Sequence, residues 1–220
     1  MEHKKVISKL KILKPKLPTN LEKIRLSEEE FIDEFIFAGG IVSDTTIENK
    51  KNHKLSFNQI IFRNVYFSEV YFDNMELTDV IFEECDFSNC CFLEGIIHRV
   101  EFLNCKFVGA NFSESTFRNV VFDGCNGRYS LFRFSNLKEV GFQRCDLKLG
   151  DFQGCVFNKI QFETCNLIES QFAGVKLHGI NLSSCEIEGI GVRIEDLFGV
   201  TISPLQAVSL CKLMGVKIQE

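Results

Sequence analysis

A five-residue alternation of apolar and polar positions dominates the chain from Leu55 to Ile202. Every fifth residue from Phe57 onward is Phe, Leu or Ile nearly without exception, and the residue two places before it is small or β-branched. A strand has a period of 2 and a helix one of 3.6, so a period of five fits neither as a continuous element. It fits a chain that turns a corner every five residues, with two side chains of each block pointing inward and three facing water.

A second period, of twenty residues, indicates that four such blocks make one coil. Cysteine recurs every twenty residues from Cys85 to Cys185, and phenylalanine recurs in the same way from Phe62 to Phe162. Each set becomes an inward column in which identical residues fill the same slot in successive layers. We therefore predict an all-β solenoid, a right-handed quadrilateral parallel β-helix, with a short C-terminal α-helix.

The five-residue frame divides the chain into three predicted parts. Residues 1–36 form an N-terminal segment that is partly helical or flexible, with a possible helix start at Ser27 and Glu30. Residues 37–202 form the β-helix, in strict register from residue 55, and residues 203–220 form a capping and dimerisation helix. Ser203, Pro204 and Gln206 have the types expected of an N-cap, a first helical residue and a capping box, and Gly215 is a plausible stop.

The C-terminal helix, predicted over about 204–214, carries more apolar residues than a small solvated helix needs. They either cap the last coil or also pack on a second copy across a two-fold axis, and the sequence leaves both open. The candidate dimer-interface residues are Leu205, Val208, Leu210, Cys211 and Met214.

Composition narrows the cellular setting. No apolar run approaches the roughly 18 residues of a membrane span, and lysines interrupt the apolar residues of the basic segment 1–16, unlike a signal peptide. We therefore expect a cytoplasmic protein without a membrane partner. The ten cysteines make a weak case for a disulfide scaffold in a chain of this kind.

No arrangement of residues predicts chemistry. We find no nucleophile with a base, no metal-ligand spacing and no glycine-rich phosphate loop, so we expect no enzyme, no catalytic residue, no metal and no cofactor. The cysteine column is explained by packing, because cysteine behaves as a small hydrophobe in a dry interior. Cys91 occupies an outward position and is the best candidate for a reactive thiol.

Charge is distributed unevenly around the predicted coil. Residues 55–202 hold 20 acidic and 12 basic residues, most of the acidic ones on two adjacent faces. A different face is basic through its middle, with Arg99, Arg118, Lys138, Lys159 and Lys176. The acidic balance argues against direct nucleic-acid binding. The charge density of the rod is also lower than that of duplex DNA, which carries a charge every 1.7 Å or so. One interpretation of the charges is that they only keep a repeat soluble.

Three stretches resemble a known family. They are FEECDFSNCCFLEGIIHRVEFLNC (82–105), CNGRYSLFRFSNL (125–137) and GVTISPLQAVSLCKLMGVKI (199–218). Blocks such as CDFSN and ANFSE match the A-(D/N)-L-X-X repeat, and the chain looks like the pentapeptide-repeat family over 55–202. More narrowly it resembles the Qnr-type quinolone-resistance proteins, especially the loop-free type of Gram-positive bacteria, because no insertion breaks the register.

This resemblance implies a cytosolic homodimer that binds DNA gyrase, and topoisomerase IV as a further target, and protects the enzyme from fluoroquinolones as an acidic DNA mimic. The candidate gyrase-contact residues are Glu83, Glu84, Asp86, Glu101, Asp123, Asp146, Glu163 and Glu186.

The competing hypothesis is a general protein-interaction scaffold, or an immunity factor, with another partner. Its surface would be apolar or mixed, and the outward residues to test are Tyr66, Tyr71, Leu93, Tyr129, Leu131 and Phe134.

Overall fold

The body of the protein is a parallel β-solenoid in a computed structural model that describes residues 10–217. Seven strands hydrogen-bond in chain order: β1 (Ile36–His53), β2 (Ser56–Asp73), β3 (Glu76–Glu83), β4 (Ile96–Leu103), β5 (Thr116–Asp123), β6 (Asn136–Gln143) and β7 (Val156–Glu163). Phe62 pairs with Phe82 and Phe102 with Phe122, so the register advances by twenty residues per coil. The predicted solenoid and its twenty-residue coil are confirmed.

Each coil has four faces, which we number by their central inward residues. The first face is centred on Phe57 and its equivalents every twenty residues, the second on Phe62, the third on Phe67 and the fourth on Phe72. Strands β3 to β7 each cover the first and second faces. Strands β1 and β2 pair across all four faces. In the later coils the third and fourth faces pair through single bridges, such as Asp86 with Lys106 and Asn111 with Leu131.

The corners between faces are left-handed residues. At four successive corners φ is 57° at Asp79, 54° at Glu84, 58° at Asn89 and 57° at Glu94. A residue with a Cβ adopts this conformation at a cost of roughly 1–2 kcal/mol, so the stacked coils must hold it in place. Because the corner recurs every five residues, it determines which side chains project outward between two faces.

Phenylalanine ladders fill the interior. The rings of Phe102 and Phe122 stack with centroids 4.6 Å apart and planes 3° from parallel, and Phe132 stacks on Phe152 at 5.0 Å. The one glycine at a central position is explained by its neighbour. A Cβ at Gly127 would lie 1.9 Å from Cε2 of Phe107, because that ring has moved into the space of the missing side chain.

Short helices lie near both ends of the rod. Ser27 and Glu30 form the predicted capping box, but on a 3₁₀ helix, Glu28–Glu30. Another 3₁₀ helix, Ile194–Leu197, precedes helix α1, Pro204–Cys211. The capping box of Ser203 and Gln206 is confirmed, and the last turn tightens into a 3₁₀ helix, Lys212–Met214, before Gly215 at φ 71°.

Candidate functional site

The acidic candidates follow the second and third faces of the rod. On the second face Glu83 and Asp123 end strands β3 and β5, and Glu163 ends β7. On the third face the bridge ladder runs from Asp86 through Lys106 and Asn126 to Asp146, Asn166 and Glu186. The structure therefore places the predicted residues on two adjacent faces of one rod.

Most of these carboxylates are already paired with a cation of the same chain. Arg63 Nε lies 2.6 Å from Glu83, Arg144 lies 2.5 Å from Asp123, Lys106 lies 3.9 Å from Asp86 and Arg128 lies 3.8 Å from Asp146. Lys14 lies 4.0 Å from Glu101. Within residues 10–217, Glu84, Glu163 and Glu186 are exposed and make no ion pair. The charge that a partner would meet is therefore sparser than the sequence indicates.

The basic face is also partly neutralised, by a nearly buried ion pair. Arg99 donates to both carboxylate oxygens of Asp79, at 2.5 and 2.6 Å. Burial alone would raise the pKa of Asp79, but the hydrogen bonds from Arg99 and from the Lys16 amide, with the Arg99 charge, hold it below its usual value. Lys159 pairs with Glu139 in the preceding coil at 3.1 Å.

An extended N-terminal segment covers the corner between the first and second faces. We call residues 10–24 the strap. The amide of Leu13 donates to Asn119 Oδ1 at 3.0 Å and that of Lys16 to Asp79 Oδ1 at 2.8 Å, and the strap ends in a parallel bridge between Lys23 and Ile41. Sequence analysis missed it, although a signal was present: outward positions of the second face are apolar at Ile41, Ile61, Ile81 and Val121.

The C-terminal helix divides the predicted dimer residues into two groups. Leu205 is 83% exposed and Val208 is also exposed. Leu210 packs against the core of its own rod, and Cys211 is half-buried. The side chain of Met214 lies outside the described part of the structure. Ile194 and Phe198 add to the exposed apolar surface near this end, Phe198 being 79% exposed.

Eight of the ten cysteines lie in a setting that disfavours the thiolate. Burial raises the pKa of Cys90 to about 11 and that of Cys155 to about 12. The outward Cys91 is half-buried, and its Sγ lies 3.8 Å from Asp73 Oδ1. Burial, and secondarily the Asp73 charge, raise its pKa as well, so the expectation of a reactive thiol at Cys91 finds no support.

Exposed aromatic residues lie apart from the acidic residues of the second face. Tyr66 and Tyr71 are exposed on neighbouring faces near the N-terminal end, with Lys51 Nζ 5.0 Å from the Tyr71 ring centroid. Phe134 is 67% exposed, and its ring lies over Gly154, where a Cβ would come within 2.6 Å. These residues could serve a partner that prefers apolar contacts.

Two kinds of feature are absent from residues 10–217. They contain no group of three or more His, Cys, Asp or Glu side chains placed to hold a metal ion. No helix in this part of the chain has the length and apolar character that crossing a membrane requires.

Comparisons with known proteins agree with the fold. The family model for a pentapeptide repeat region matches residues 75–152, and the model for pentapeptide repeats in eight copies matches residues 145–183. No curated protein sequence matches significantly.

Two solved structures illustrate the structural likeness. HetL, a pentapeptide-repeat protein involved in heterocyst differentiation regulation from the cyanobacterium Nostoc sp. strain PCC 7120, aligns with a TM-score of 0.61 at 13% identity, over 78% of this chain and 86% of HetL. A trypsin-treated variant of QnrB1, a plasmid-mediated fluoroquinolone resistance protein, aligns with a TM-score of 0.38 at 18% identity, over 82% of this chain and 99% of that variant. At 13% identity the likeness to HetL shows the fold alone. The family models, which match the sequence itself, find pentapeptide repeats over residues 75–183 of this chain.

Proposed function

We propose that this protein is a non-enzymatic, cytoplasmic binding protein whose dimeric rod docks on DNA gyrase, and on topoisomerase IV as a further target, and protects the enzyme from fluoroquinolones. The observation that carries the proposal is the placement of acidic side chains along two adjacent faces of one unbroken rod. A surface of this shape and sign suits a basic saddle that normally holds duplex DNA.

The ion pairs sharpen this proposal by selecting residues. Four candidate carboxylates are each paired with a cation of the same rod: Glu83, Asp86, Asp123 and Asp146. A partner would therefore meet the dipole of an ion pair at these positions and not a free negative charge. Glu84, Glu163 and Glu186 are exposed and make no such pair in the described residues. We expect these three carboxylates to dominate contact with a basic partner.

The test is a gyrase supercoiling assay with purified protein, titrated with and without ciprofloxacin. Rescue of supercoiling in the presence of the drug is the expected result. Glu84→Lys with Glu163→Lys should weaken the rescue about 100-fold, since two attractive charges become repulsive. The matched control is Glu94→Lys with Glu114→Lys, which makes the same net charge change at exposed acidic residues of the fourth face.

Two outcomes would contradict the proposal. Equal loss in the test and control variants would mean that only net charge matters. No effect of the wild-type protein on either topoisomerase would remove these enzymes as partners.

The second candidate function is an interaction scaffold or immunity factor with another partner. It is favoured by the exposed aromatic residues Tyr66, Tyr71 and Phe134 and by the internal pairing of so many carboxylates. In that case Tyr71→Ser with Phe134→Ser, both exposed residues of the fourth face, should abolish partner capture while leaving any effect on gyrase unchanged.

A further inference from the structure

We infer that the corner between the first and second faces is a binding track for an extended, basic polypeptide, and that the strap (residues 10–24) occupies this track in cis. The inference goes beyond the proposed function, because it concerns a different kind of ligand, held at the edge of the second face that adjoins the first. It rests on four features of the strap and of the surface beneath it.

The rod holds the strap by its main chain. Asn119 Oδ1 accepts from the amide of Leu13, Asp79 Oδ1 accepts from the amide of Lys16, and Gln59 Nε2 donates to the carbonyl of Lys16. The three rod residues are corner residues in one column of the first face. Because these bonds involve no strap side chain, any chain in the same register could make them.

The pitch of the rod matches the pitch of an extended chain. Asn119 and Asp79 are two coils apart, about 9.6 Å at a strand spacing of 4.8 Å. Leu13 and Lys16 are three residues apart, which an extended or polyproline II chain spans in about 9–10 Å. Between these two amides the strap has Pro15, which has no N–H, and the rod has Arg99, which has no acceptor.

The strap is basic, and two of its lysines reach carboxylates of the rod. The strap contains Lys11, Lys14, Lys16 and Lys23 against a single acidic residue, Glu22. Lys14 pairs with Glu101 at 4.0 Å and Lys23 with Asp44 at 3.5 Å. Both lysines are well exposed, so each ion pair contributes little to holding the strap. A cation of another chain can therefore replace either lysine.

On its apolar side the track consists of outward apolar residues that are partly shielded from solvent. Ile61, Ile81 and Val121 occupy outward positions on the second face but are only half-exposed. At the equivalent position of the first face, Ile96 is 51% exposed and Val156 is 60% exposed. At the far end of the strap a Cβ on Gly141 would lie 3.0 Å from Ile12 Cδ1, so the missing side chain leaves room for the strap.

These contacts divide the strap into an outer part, residues 10–21, and a base, residues 22–24. Near its C-terminal end the strap is hydrogen-bonded to the edge of β1, with Ile24 N 2.9 Å from Ile41 O and Ile41 N 2.8 Å from Glu22 O. Farther out, the hydrogen bonds to the rod are the three described above. The outer part can therefore lift while the base stays paired, which leaves the track open to an extended segment of a partner rich in lysine or arginine.

The experiment measures binding of a fluorescent peptide with the sequence of residues 10–21, LKILKPKLPTNL, to the full-length chain. A variant of the full-length chain, Ile12→Ser with Lys14→Glu, weakens the binding of the strap without altering the track. The peptide should bind this variant at least about tenfold more tightly than the wild type, because its tethered competitor is weaker. A peptide with every lysine replaced by glutamate should not bind.

Matched variants locate the binding. In the strap-weakened chain, Asn119→Ala should reduce peptide affinity about tenfold, since one main-chain bond is lost. Asn104→Ala changes the same residue type at a left-handed corner of the second face that has no hydrogen bond to the strap, and should have no effect. Tryptic cleavage after Lys16 gives a second readout, and the peptide should accelerate it in the wild-type chain.

Either of two results would overturn the inference. One is absence of peptide binding to a strap-weakened chain whose circular dichroism and melting temperature match the wild type. The other is equal loss of affinity from Asn119→Ala and Asn104→Ala. Since no topoisomerase is present in this experiment, its failure is distinct from failure of the proposed function.

Discussion

The two ends of the rod are finished in different ways. At the N-terminal end the chain covers its own edge: the Phe31 ring lies 5.2 Å from that of Phe37, and the Phe35 ring lies 4.7 Å from it. At the C-terminal end Gln206 donates to the carbonyls of Leu182 and Cys185, at 2.8 and 2.6 Å, yet Leu205 remains exposed on the outer side of the same helix.

The two ends show that pairing the backbone groups of an edge and covering its apolar side chains are separate requirements. Both ends satisfy backbone groups that an open solenoid would leave unpaired. Only the N-terminal end also packs its aromatic side chains against the core, where Phe31 and Phe35 are half-buried. The exposed apolar residues of the C-terminal end are consistent with a second copy packing there, and the predictions below test that asymmetry.

The largest effect is expected from Leu205→Glu with Val208→Glu. In a two-fold interface each change occurs twice, so four charges would be buried without partners. We expect the dimer dissociation constant to rise about 1000-fold, equivalent to about 4 kcal/mol. Sedimentation of the 25.2 kDa chain measures this directly.

The control for that prediction is Thr164→Glu with Ser183→Glu, which adds the same charge at exposed positions of the rod and should leave the dimer intact. A wild-type chain that is monomeric at high concentration, or a variant that still dimerises, would show that the exposed helix is not the interface.

At the other end, Phe31→Ala should destabilise the fold by about 3 kcal/mol. A buried Phe→Ala change costs roughly 3–5 kcal/mol, and Phe31 is only half-buried, beside Phe37 and Phe72. Urea denaturation provides the measurement. Phe134→Ala, which removes an exposed ring, should cost less than about 0.5 kcal/mol, and equal costs would mean that Phe31 does not seal this end.

Gln206→Ala should cost about 2 kcal/mol, because it removes two hydrogen bonds to the last coil and leaves the Cys185 carbonyl without a donor in the described residues. The Leu182 carbonyl still accepts from the Cys185 amide. The same urea experiment applies, with Gln153→Ala as the control for losing a glutamine whose side chain makes no hydrogen bond in the described structure. If the two variants unfold at the same denaturant concentration, the helix does not hold the last coil through Gln206.

The smallest effect concerns pH and the strap. Because the pKa of Asp79 is lowered in the folded protein, its contribution to stability is present above the usual carboxyl pKa near 4 and is lost as the pH falls through the lower folded value. Hydrogen exchange should therefore show protection of the Lys16 amide falling severalfold below about pH 4. The Leu13 amide, held by the non-titrating Asn119, should keep its protection, and parallel loss at both amides would contradict this.

The interior of the rod was predictable because it repeats. A position that is inward in one coil is inward in the next, so the pattern of Phe62, Phe82 and Phe102 determines the stacking without further information. The exception is local. Gly127 occupies a central position but has no side chain to fill it, and the sequence could not indicate that the Phe107 ring fills the space instead.

The surface was less predictable, for two physical reasons. The acidic faces were placed correctly, but their ion pairs form between coils, so they depend on residues about twenty apart. Opposite charges at Arg63 and Glu83, or at Asp86 and Lys106, are a signal that the twenty-residue frame would have revealed. The strap has no period, and only the apolar outward residues beneath it indicate that something covers them.

The pitch match between the strap and the rod bears on how such a molecule can change in length. Elsewhere a whole coil could be duplicated or deleted without disturbing its neighbours, since each layer contacts only the layers beside it. Between Asp79 and Asn119 that freedom ends, because the strap spans both residues at once. Removing one coil there would shift one anchor by about 4.8 Å, more than a hydrogen bond tolerates. The strap thus acts as a ruler for this part of the rod, and coil number should vary more readily beyond its reach.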